Sequence, residues 1–290
     1  MKVHKSFIGC SLEQTKESIV AILQEAGFPN PLNEAEWILC SLKKITRGEL
    51  LACEREIFIS EEEGFLLESM VDRRLQHEPL QYIMGYEGFW GRDFLVGAGC
   101  LIPRPETELL VEEALSLFSG GCFLDWGTGS GCIAATILLE RPDSRGIAAD
   151  VSPQALFWAW RNLRNYHVLH RCLLWHTQIP EDIPISEGSL DIVISNPPYI
   201  PTAIIGNLME EVSRYEPRNA LDGGIDGLSF YYMLLAIAPQ WLKRGGFVIV
   251  EVGDDQQAEH LASLSVDHLR FSHLKKDHNG LYRIAVWCRV

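Results

Sequence analysis

Over its last two thirds this 290-residue chain alternates short apolar segments with amphipathic helical ones, which predicts an α/β fold. The sheet is expected to be mainly parallel and covered by helices on both faces. Two further observations support this class. A glycine-rich loop, Gly127-Thr128-Gly129-Ser130-Gly131, follows the first strand and opens a helix. A double proline, Pro197-Pro198, closes a later strand. Both belong where strands end, and there open α/β sheets bind ligands. Ahead of this region the sequence reads as a small helical bundle, and between the two as a β-hairpin.

Composition sets the outer bounds. The chain is 47% hydrophobic and 22% charged, enough for a sizeable core. Its net charge of -14 counts against broad contact with a nucleic-acid backbone. None of its eight cysteines forms a C-x-x-C pair or a zinc-type pattern, so no metal site is expected. Cys122, Cys132, Cys172 and Cys288 lie in apolar stretches and read as reduced, buried thiols of a cytoplasmic protein. Met1 to Lys5 is basic, but the apolar stretch after it stops by Leu12, too short for a signal-peptide core. No segment approaches the roughly 20 apolar residues that span a bilayer, so no membrane partner is expected.

Residues 1–77 read as a helical domain. Ser11 to Ala26 carries Leu12, Ile19, Ile22 and Leu23 at helical spacing and stops at Gly27. Asn33 with Glu36 predicts the cap of a second helix through Trp37, Ile38, Leu39 and Leu42. Ser60 with Glu63 predicts another ahead of Phe65, Leu66, Leu67 and Met70. Residues 78–100 interleave aromatics with glycines, from Tyr82 to Val96, and predict a hairpin linker. Residues 101–290 form the α/β domain. Its predicted strands are Cys122–Trp126, Gly146–Asp150, Cys172–Trp175, Leu190–Ser195, Gly246–Val252 and Leu281–Arg289, the last antiparallel at an edge. Its predicted helices are Thr107–Phe118, Cys132–Glu140, Pro153–Tyr166 and Leu228–Leu242.

The loop from Asp125 to Gly131 and the acidic strand end Asp150 together describe an adenosine-ligand site. The glycines let the backbone turn tightly and approach a ligand, while a carboxylate at Asp150 can accept from both ribose hydroxyls. The dinucleotide fingerprint fails, because Cys132 stands where a third glycine is required. S-adenosylmethionine needs no phosphate cradle, and Asp125 could meet its ammonium directly or through water. S-adenosylmethionine is therefore favoured over NAD.

Asn196-Pro197-Pro198-Tyr199 follows the strand Leu190–Ser195. Prolines cannot continue a ladder, so the chain leaves the sheet as a stiff loop. The Asn196 side-chain oxygen and the Pro197 carbonyl offer two acceptors beside the flat face of Tyr199. Such a set suits a planar group ending in NH2, either an amide or the exocyclic amine of a base. Asn196, Pro197 and Tyr199 are the catalytic candidates, and Pro198 joins them in the substrate site.

Several stretches together resemble the release-factor glutamine N5-methyltransferases, which methylate the glutamine of the Gly-Gly-Gln loop in peptide chain release factors. They are Pro79–Gly85 (PLQYIMG), Leu101–Glu108 (LIPRPETE), the loop from Asp125, Asp150-Val151-Ser152, Ser195–Ile200 (SNPPYI) and Tyr215–Leu221 (YEPRNAL). The resemblance implies a Rossmann-like class I S-adenosylmethionine-dependent methyltransferase. It implies cofactor contacts from Asp125, Gly127, Thr128, Gly129, Ser130, Gly131, Asp150, Val151 and Asn196. It also implies class I release factors as the protein substrate, and Arg104 and Glu106 at the border of the substrate site. Those two residues read equally as a solvated turn before a Thr107-capped helix. Glu216 and Arg218 read as an internal ion pair ordering a loop, and Trp158 and Trp160 as packing residues. Two departures stand out. Trp126 replaces a small aliphatic residue, and Leu173–Gln178 lacks an acidic partner for the adenine amine. Thr177, Gln178 or a backbone carbonyl is left to fill that role. The nearest rival is a base amino-methyltransferase, which would stack its target on Tyr199. A non-enzymatic binding module on the same fold is disfavoured by the intact Asp125, Asp150 and Asn196.

Overall fold

The computed structural model describes residues 6–290, so the basic segment Met1–Lys5 lies outside the described residues. The chain divides into two compact units. Among the described residues, one runs to Gly85 and includes Glu210–Tyr215, and the other comprises Tyr86–Met209 with Glu216–Val290.

The smaller unit is helical. In α1 (Leu12–Glu25) the Ser11 hydroxyl and the Gln14 side chain cap each other's backbone N–H groups. This box satisfies two of the donors that every helix start leaves open. Helix α2 (Pro31–Lys43) starts earlier than its acid and amide pattern predicts. Asn30 is the cap and Pro31 the first helical residue, which leaves Asn33 inside the first turn. The fixed φ of proline is already helical, and its missing N–H costs nothing there. Helix α3 (Arg47–Cys53), capped by Thr46 and Glu49, is too short for periodicity to reveal. Helix α4 (Glu61–Leu75) carries the expected Ser60–Glu63 box. Leu67 and Met70 are buried, whereas Phe65 and Leu66 are exposed, as is Trp37 in α2. Adjacent helical residues lie about 100° apart, so one contiguous apolar run cannot all face inward. Arg74 is buried, with Nε 2.6 Å and Nη2 3.0 Å from the Glu34 carboxylate and Nη2 2.7 Å from Glu211 of the Glu210–Tyr215 segment.

A short helix, α5 (Leu80–Met84), occupies the first part of the stretch expected to be hairpin, and Gly85 ends it at φ 85°. The hairpin itself comprises β1 (Tyr86–Phe89) and β2 (Arg92–Leu95) and belongs to the larger unit. Its turn, Trp90-Gly91, has positive φ at both positions, as tight hairpins require. Buried Asn162 ties it down. The side chain accepts from Leu95 N at 2.8 Å and donates to Leu95 O and Ser130 O, each at 2.9 Å.

The larger unit continues with α6 (Thr107–Leu117), β3 (Cys122–Trp126), α7 (Cys132–Glu140), β4 (Arg145–Asp150), α8 (Pro153–Asn165), β5 (Cys172–His176) and β6 (Leu190–Ser195). After α9 (Glu210–Tyr215), which belongs to the smaller unit, come α10 (Ser229–Trp241), β7 (Leu242–Glu251), α11 (Asp255–Ser263), β8 (Leu269–Lys276) and β9 (Tyr282–Arg289). The strands form one seven-stranded sheet in the order β5-β4-β3-β6-β7-β9-β8. The first five run parallel. The last strand is antiparallel as expected, but it lies between β7 and β8 rather than at an edge. β8 covers it. That strand is polar on alternate and adjacent positions, so its own pattern is weak, and the Asn279-Gly280 turn before β9 is the signal that marks it. The pattern of helix α11 is equally weak, because Asp255–Ser263 carries few apolar residues.

Consecutive strand residues bury opposite faces. Phe123, Ile192 and Ile194 join one core, and Leu124, Val193 and Val248 the other. The second core holds the fully buried Trp287. Strand β4 approaches β3 closely, and a Cβ at Gly146 would lie 2.3 Å from the Phe123 ring. Gly146→Ala is therefore expected to destabilise the larger unit by about 1–3 kcal/mol through overpacking. Gly88→Ala, where an added Cβ meets nothing within 4 Å, should change stability by no more than about 0.5 kcal/mol. Urea titration of both variants followed by circular dichroism separates the two outcomes.

Candidate active site

The order of strands reverses between β3 and β6, and the site forms where these two parallel strands end. After β3 the backbone turns through Gly127, Gly129 and Gly131, all at positive φ. Gly127 N and Thr128 N donate to Ala149 O of β4 at 2.8 and 3.0 Å. A Cβ on Gly129 would meet no atom within 4 Å, so that backbone is open to a ligand. A Cβ on Gly131 would lie 3.0 Å from Ala159, so its glycine lets α7 and α8 pack closely.

Asp150 shapes this loop from below. Its Oδ2 accepts from Gly129 N at 2.9 Å and its Oδ1 from Ser152 N at 2.8 Å. Burial pushes its pKa up, and the backbone donors pull it back. The carboxylate lines the cavity beside Gly127, Thr128, Gly129 and Ser130. Each of its oxygens keeps lone-pair capacity for a ribose hydroxyl.

Asp125 is fully buried and is not part of the cavity wall. Its Oδ2 accepts from the Thr128 hydroxyl at 2.6 Å and from Ala134 N at 3.1 Å, while its Oδ1 has no partner. It therefore braces the loop and the start of α7. Burial pushes its pKa up to about 7, opposed by the Thr128 and Ala134 hydrogen bonds. Gly131 likewise sits off the wall, whereas Val151 is on it. Cys132, at the position that breaks the dinucleotide pattern, is buried with its thiol pushed up to about 12. It remains protonated and serves as wall.

Asn196 and Pro198 line the same cavity, while Pro197 and Tyr199 do not. Asn196 Nδ2 donates to Thr107 Oγ1 at 3.0 Å, and the Thr107 hydroxyl donates to Glu251 Oε2 at 2.7 Å. The Tyr199 hydroxyl points at Glu251 Oε1 from 3.4 Å, and its ring packs over Gly253. Burial and the Glu251 charge push Tyr199 upward, so it stays a neutral phenol. Glu251 is itself pushed up to about 7, first by burial, with Thr107 lowering it and Glu106 raising it. Neither Thr107 nor Glu251 stood out in the sequence as a site residue. Thr107 is the first residue of α6 and uses its hydroxyl for this contact, while its expected capping place falls to Glu106, which makes no side-chain cap bond.

Arg104 lines the cavity and Glu106 does not. Arg104 pairs with buried Glu216, whose Oε2 also accepts Ile102 N at 3.1 Å. The expected Glu216–Arg218 pair is absent, because Arg218 bonds Asp222 instead, at 3.2 Å. Trp126 packs against Phe230 and Trp241, with ring centroids 4.7 and 5.7 Å away, and forms part of the wall with Phe230. Trp158 donates Nε1–H to Ala98 O at 3.3 Å, whereas Trp160 is exposed. No residue from 173 to 178 reaches the cavity wall. The Thr177 hydroxyl is consumed in its own turn, donating to Ile179 O at 2.6 Å, and Gln178 is exposed. Of the four cysteines expected to be buried only Cys132 is; Cys122 is exposed and Cys172 and Cys288 half-buried, and all eight cysteines are free.

An exposed glycine backbone, an acidic strand end and an Asn-Pro-Pro-Tyr loop at one switch point are the features of a class I methyltransferase using S-adenosylmethionine. Comparisons with known proteins agree. Residues 16–85 match the PrmC N-terminal domain, and residues 105–212 the Methyltransferase small domain. A release factor glutamine methyltransferase from Rhodospirillum rubrum is 38% identical over 89% of this chain and 79% of its own. One from Nitratidesulfovibrio vulgaris is 41% identical over 83% and 82%. A solved methyltransferase from Pyrococcus furiosus shares the fold, with a TM-score of 0.52 and 18% identity over 75% of this chain and 96% of its own. The chain belongs to the release factor glutamine methyltransferase family.

The buried acid of the loop makes a testable contribution to stability. With its folded pKa near 7 and an unfolded value near 4, Asp125 binds more protons folded than unfolded between those limits. Its contribution to stability therefore falls as pH rises through that window. Asp125→Asn removes this titration. The stability of the variant relative to wild type, measured by thermal unfolding without ligand, is expected to improve from pH 5 to pH 8. A difference independent of pH contradicts the assignment.

Proposed function

We propose that the protein transfers the methyl group of S-adenosylmethionine to the side-chain N5 of the glutamine in the Gly-Gly-Gln motif of class I peptide chain release factors. The orientation of Asn196 carries this reading. Its Nδ2 donates to Thr107, so its Oδ1 is left to accept a substrate N–H beside the glycine loop. The names of its relatives support the substrate.

An amide nitrogen is a poor nucleophile, because its lone pair is delocalised into the carbonyl. The cofactor supplies an electrophilic sulfonium methyl when bound. Asn196 Oδ1 and the Pro197 carbonyl each accept one N–H of the glutamine amide, which aims the nitrogen and favours its pyramidalisation. Orientation of this kind is worth up to roughly 7–11 kcal/mol in ideal cases. The two acceptors also stabilise positive charge developing on nitrogen, the logic of an oxyanion hole with the sign reversed. Tyr199 stacks against the amide; Gly127 to Ser130, Asp150 and Val151 would hold the cofactor, and Asp125 acts through the loop it braces. Arg104 and Glu106 border the substrate.

In this reading the smaller, helical unit recognises the release factor, and the larger unit, which includes the hairpin Tyr86–Leu95, carries out methyl transfer. Trp37, Phe65 and Leu66, apolar and exposed, suit a protein contact. A translation factor as substrate implies a cytoplasmic enzyme. The charge of -14 disfavours direct nucleic-acid binding, and so the base amino-methyltransferase alternative.

Labelled S-adenosylmethionine, offered with a class I release factor, its Gly-Gly-Gln→Gly-Gly-Ala form, DNA and tRNA, tests the proposal. Label is expected on the intact factor alone, and label on nucleic acid instead would overturn the substrate. Asn196→Ala should lower kcat by about 10²–10³-fold while changing cofactor affinity far less; an unchanged kcat would remove Asn196 from the mechanism. Trp37→Asp is expected to raise KM for the release factor and leave cofactor affinity unaltered, as measured by calorimetry.

A further inference from the structure

The Asn-Pro-Pro-Tyr loop follows β6, Thr107 opens α6, and Glu251 ends β7, yet the three side chains Asn196, Thr107 and Glu251 form one hydrogen-bonded line. We infer that Thr107 and Glu251 are positioning residues of the methyl-transfer reaction, fixing which end of the Asn196 carboxamide faces the substrate. The inference rests on the amide-substrate reading of the preceding section.

The argument follows the protons. A hydroxyl has one proton to donate. Glu251 is buried and makes no ion pair among the described residues; its Oε2 accepts both when the group is ionised and when its proton sits on Oε1. The Thr107 proton therefore goes to Glu251 Oε2 at 2.7 Å. Thr107 Oγ1 then has only lone pairs to offer Asn196, which must answer with its NH2 group, at 3.0 Å. The carboxamide oxygen is thereby turned away from Thr107. Without the hydroxyl, rotation by half a turn about the last side-chain bond would exchange oxygen for NH2 at little cost. A donor would then face the donor N–H groups of the substrate.

Glu251 is held in its turn. Tyr231 donates to its backbone carbonyl at 2.7 Å, and Tyr199 approaches its Oε1 at 3.4 Å. One carboxylate thus serves both ends of the Asn-Pro-Pro-Tyr loop. Thr107 borders the cavity but is itself buried, and its hydroxyl is engaged by Asn196 and Glu251.

Thr107→Val keeps the shape of the side chain and deletes the hydroxyl; Thr107→Ser keeps the hydroxyl. With release factor as substrate, Thr107→Val is expected to lower kcat on the order of tenfold to a hundredfold, with S-adenosylmethionine affinity within about threefold of wild type. Thr107→Ser recovers most of the loss. A loss confined to cofactor affinity, or an unchanged kcat, overturns the inference. A second measurement needs no substrate. In 15N-labelled protein the Asn196 side-chain NH2 signals, identified by their loss in Asn196→Asp, should show one proton protected from exchange in wild type and Thr107→Ser. That protection should vanish in Thr107→Val. Identical Asn196 signals in all three proteins also overturn it. If wild type methylates no release factor, the substrate reading fails alone, and the amide signals still decide the orientation.

Discussion

Parallel pairing of β3 with β6, Phe123 against Ile192 and Asp125 against Ile194, sets where two distant loops leave the sheet. The chain reaches β6 only after crossing β4 and β5 on the other side, so β3 and β6 are neighbours at the reversal of strand order. Neither strand can be followed by its neighbour's helix at that point, and a crevice is left between the loops. Residues some seventy positions apart in the chain meet across it: the Ser195 hydroxyl donates to Trp126 O at 2.5 Å. The cofactor loop and the Asn-Pro-Pro-Tyr loop are thus held by one backbone pairing.

Around that crevice the protein keeps several polar groups out of water. Asp125, Asp150, Asn162, Glu216 and Glu251 are all buried. Each such group costs free energy unless its hydrogen bonds are made. Most of these side chains make theirs to backbone groups of the loops: Asp150 to Gly129 and Ser152, Asn162 to Leu95 and Ser130, Glu216 to Ile102. Apart from Leu95, the last residue of β2, these partners lie outside regular structure and have no ladder to satisfy their N–H and C=O groups. The same bonds that pay for burial also hold the loops in one shape. Asp125 keeps one oxygen unpartnered and Glu251 carries no counter-ion, and in both burial raises the pKa towards neutrality.

The two segments expected to differ, around Trp126 and after β5, are accommodated by neighbouring volume. Trp126 is accommodated because Phe230 and Trp241 of α10 receive its ring. An aromatic cluster fills the space under the loop, and both Trp126 and Phe230 lie on the cavity wall. After β5, Thr177 closes a turn on Ile179, and the wall beyond Asp150 is made instead by Val151, Ser152 and Ala155.

Local patterns were legible wherever a side chain or backbone acts within its own segment. Cys122–Trp126, Cys132–Glu140 and Leu190–Ser195 were read to the residue, because apolar runs bounded by glycine and proline leave little choice. The glycine loop, the acidic strand end and the double proline could also be read, since each expresses a backbone constraint of its own few residues. Helix α3 and strand β8 escaped because they are short or polar, and β9 lost its expected edge position once β8 existed. The pairs that complete the site were not legible at all. Arg104 could have joined any acid, and Thr107 read as a cap until α6 met β7. Hydrogen bonds between residues more than a hundred positions apart leave no trace in local periodicity. They depend on which strand ends lie side by side, and that was set by packing the whole sheet.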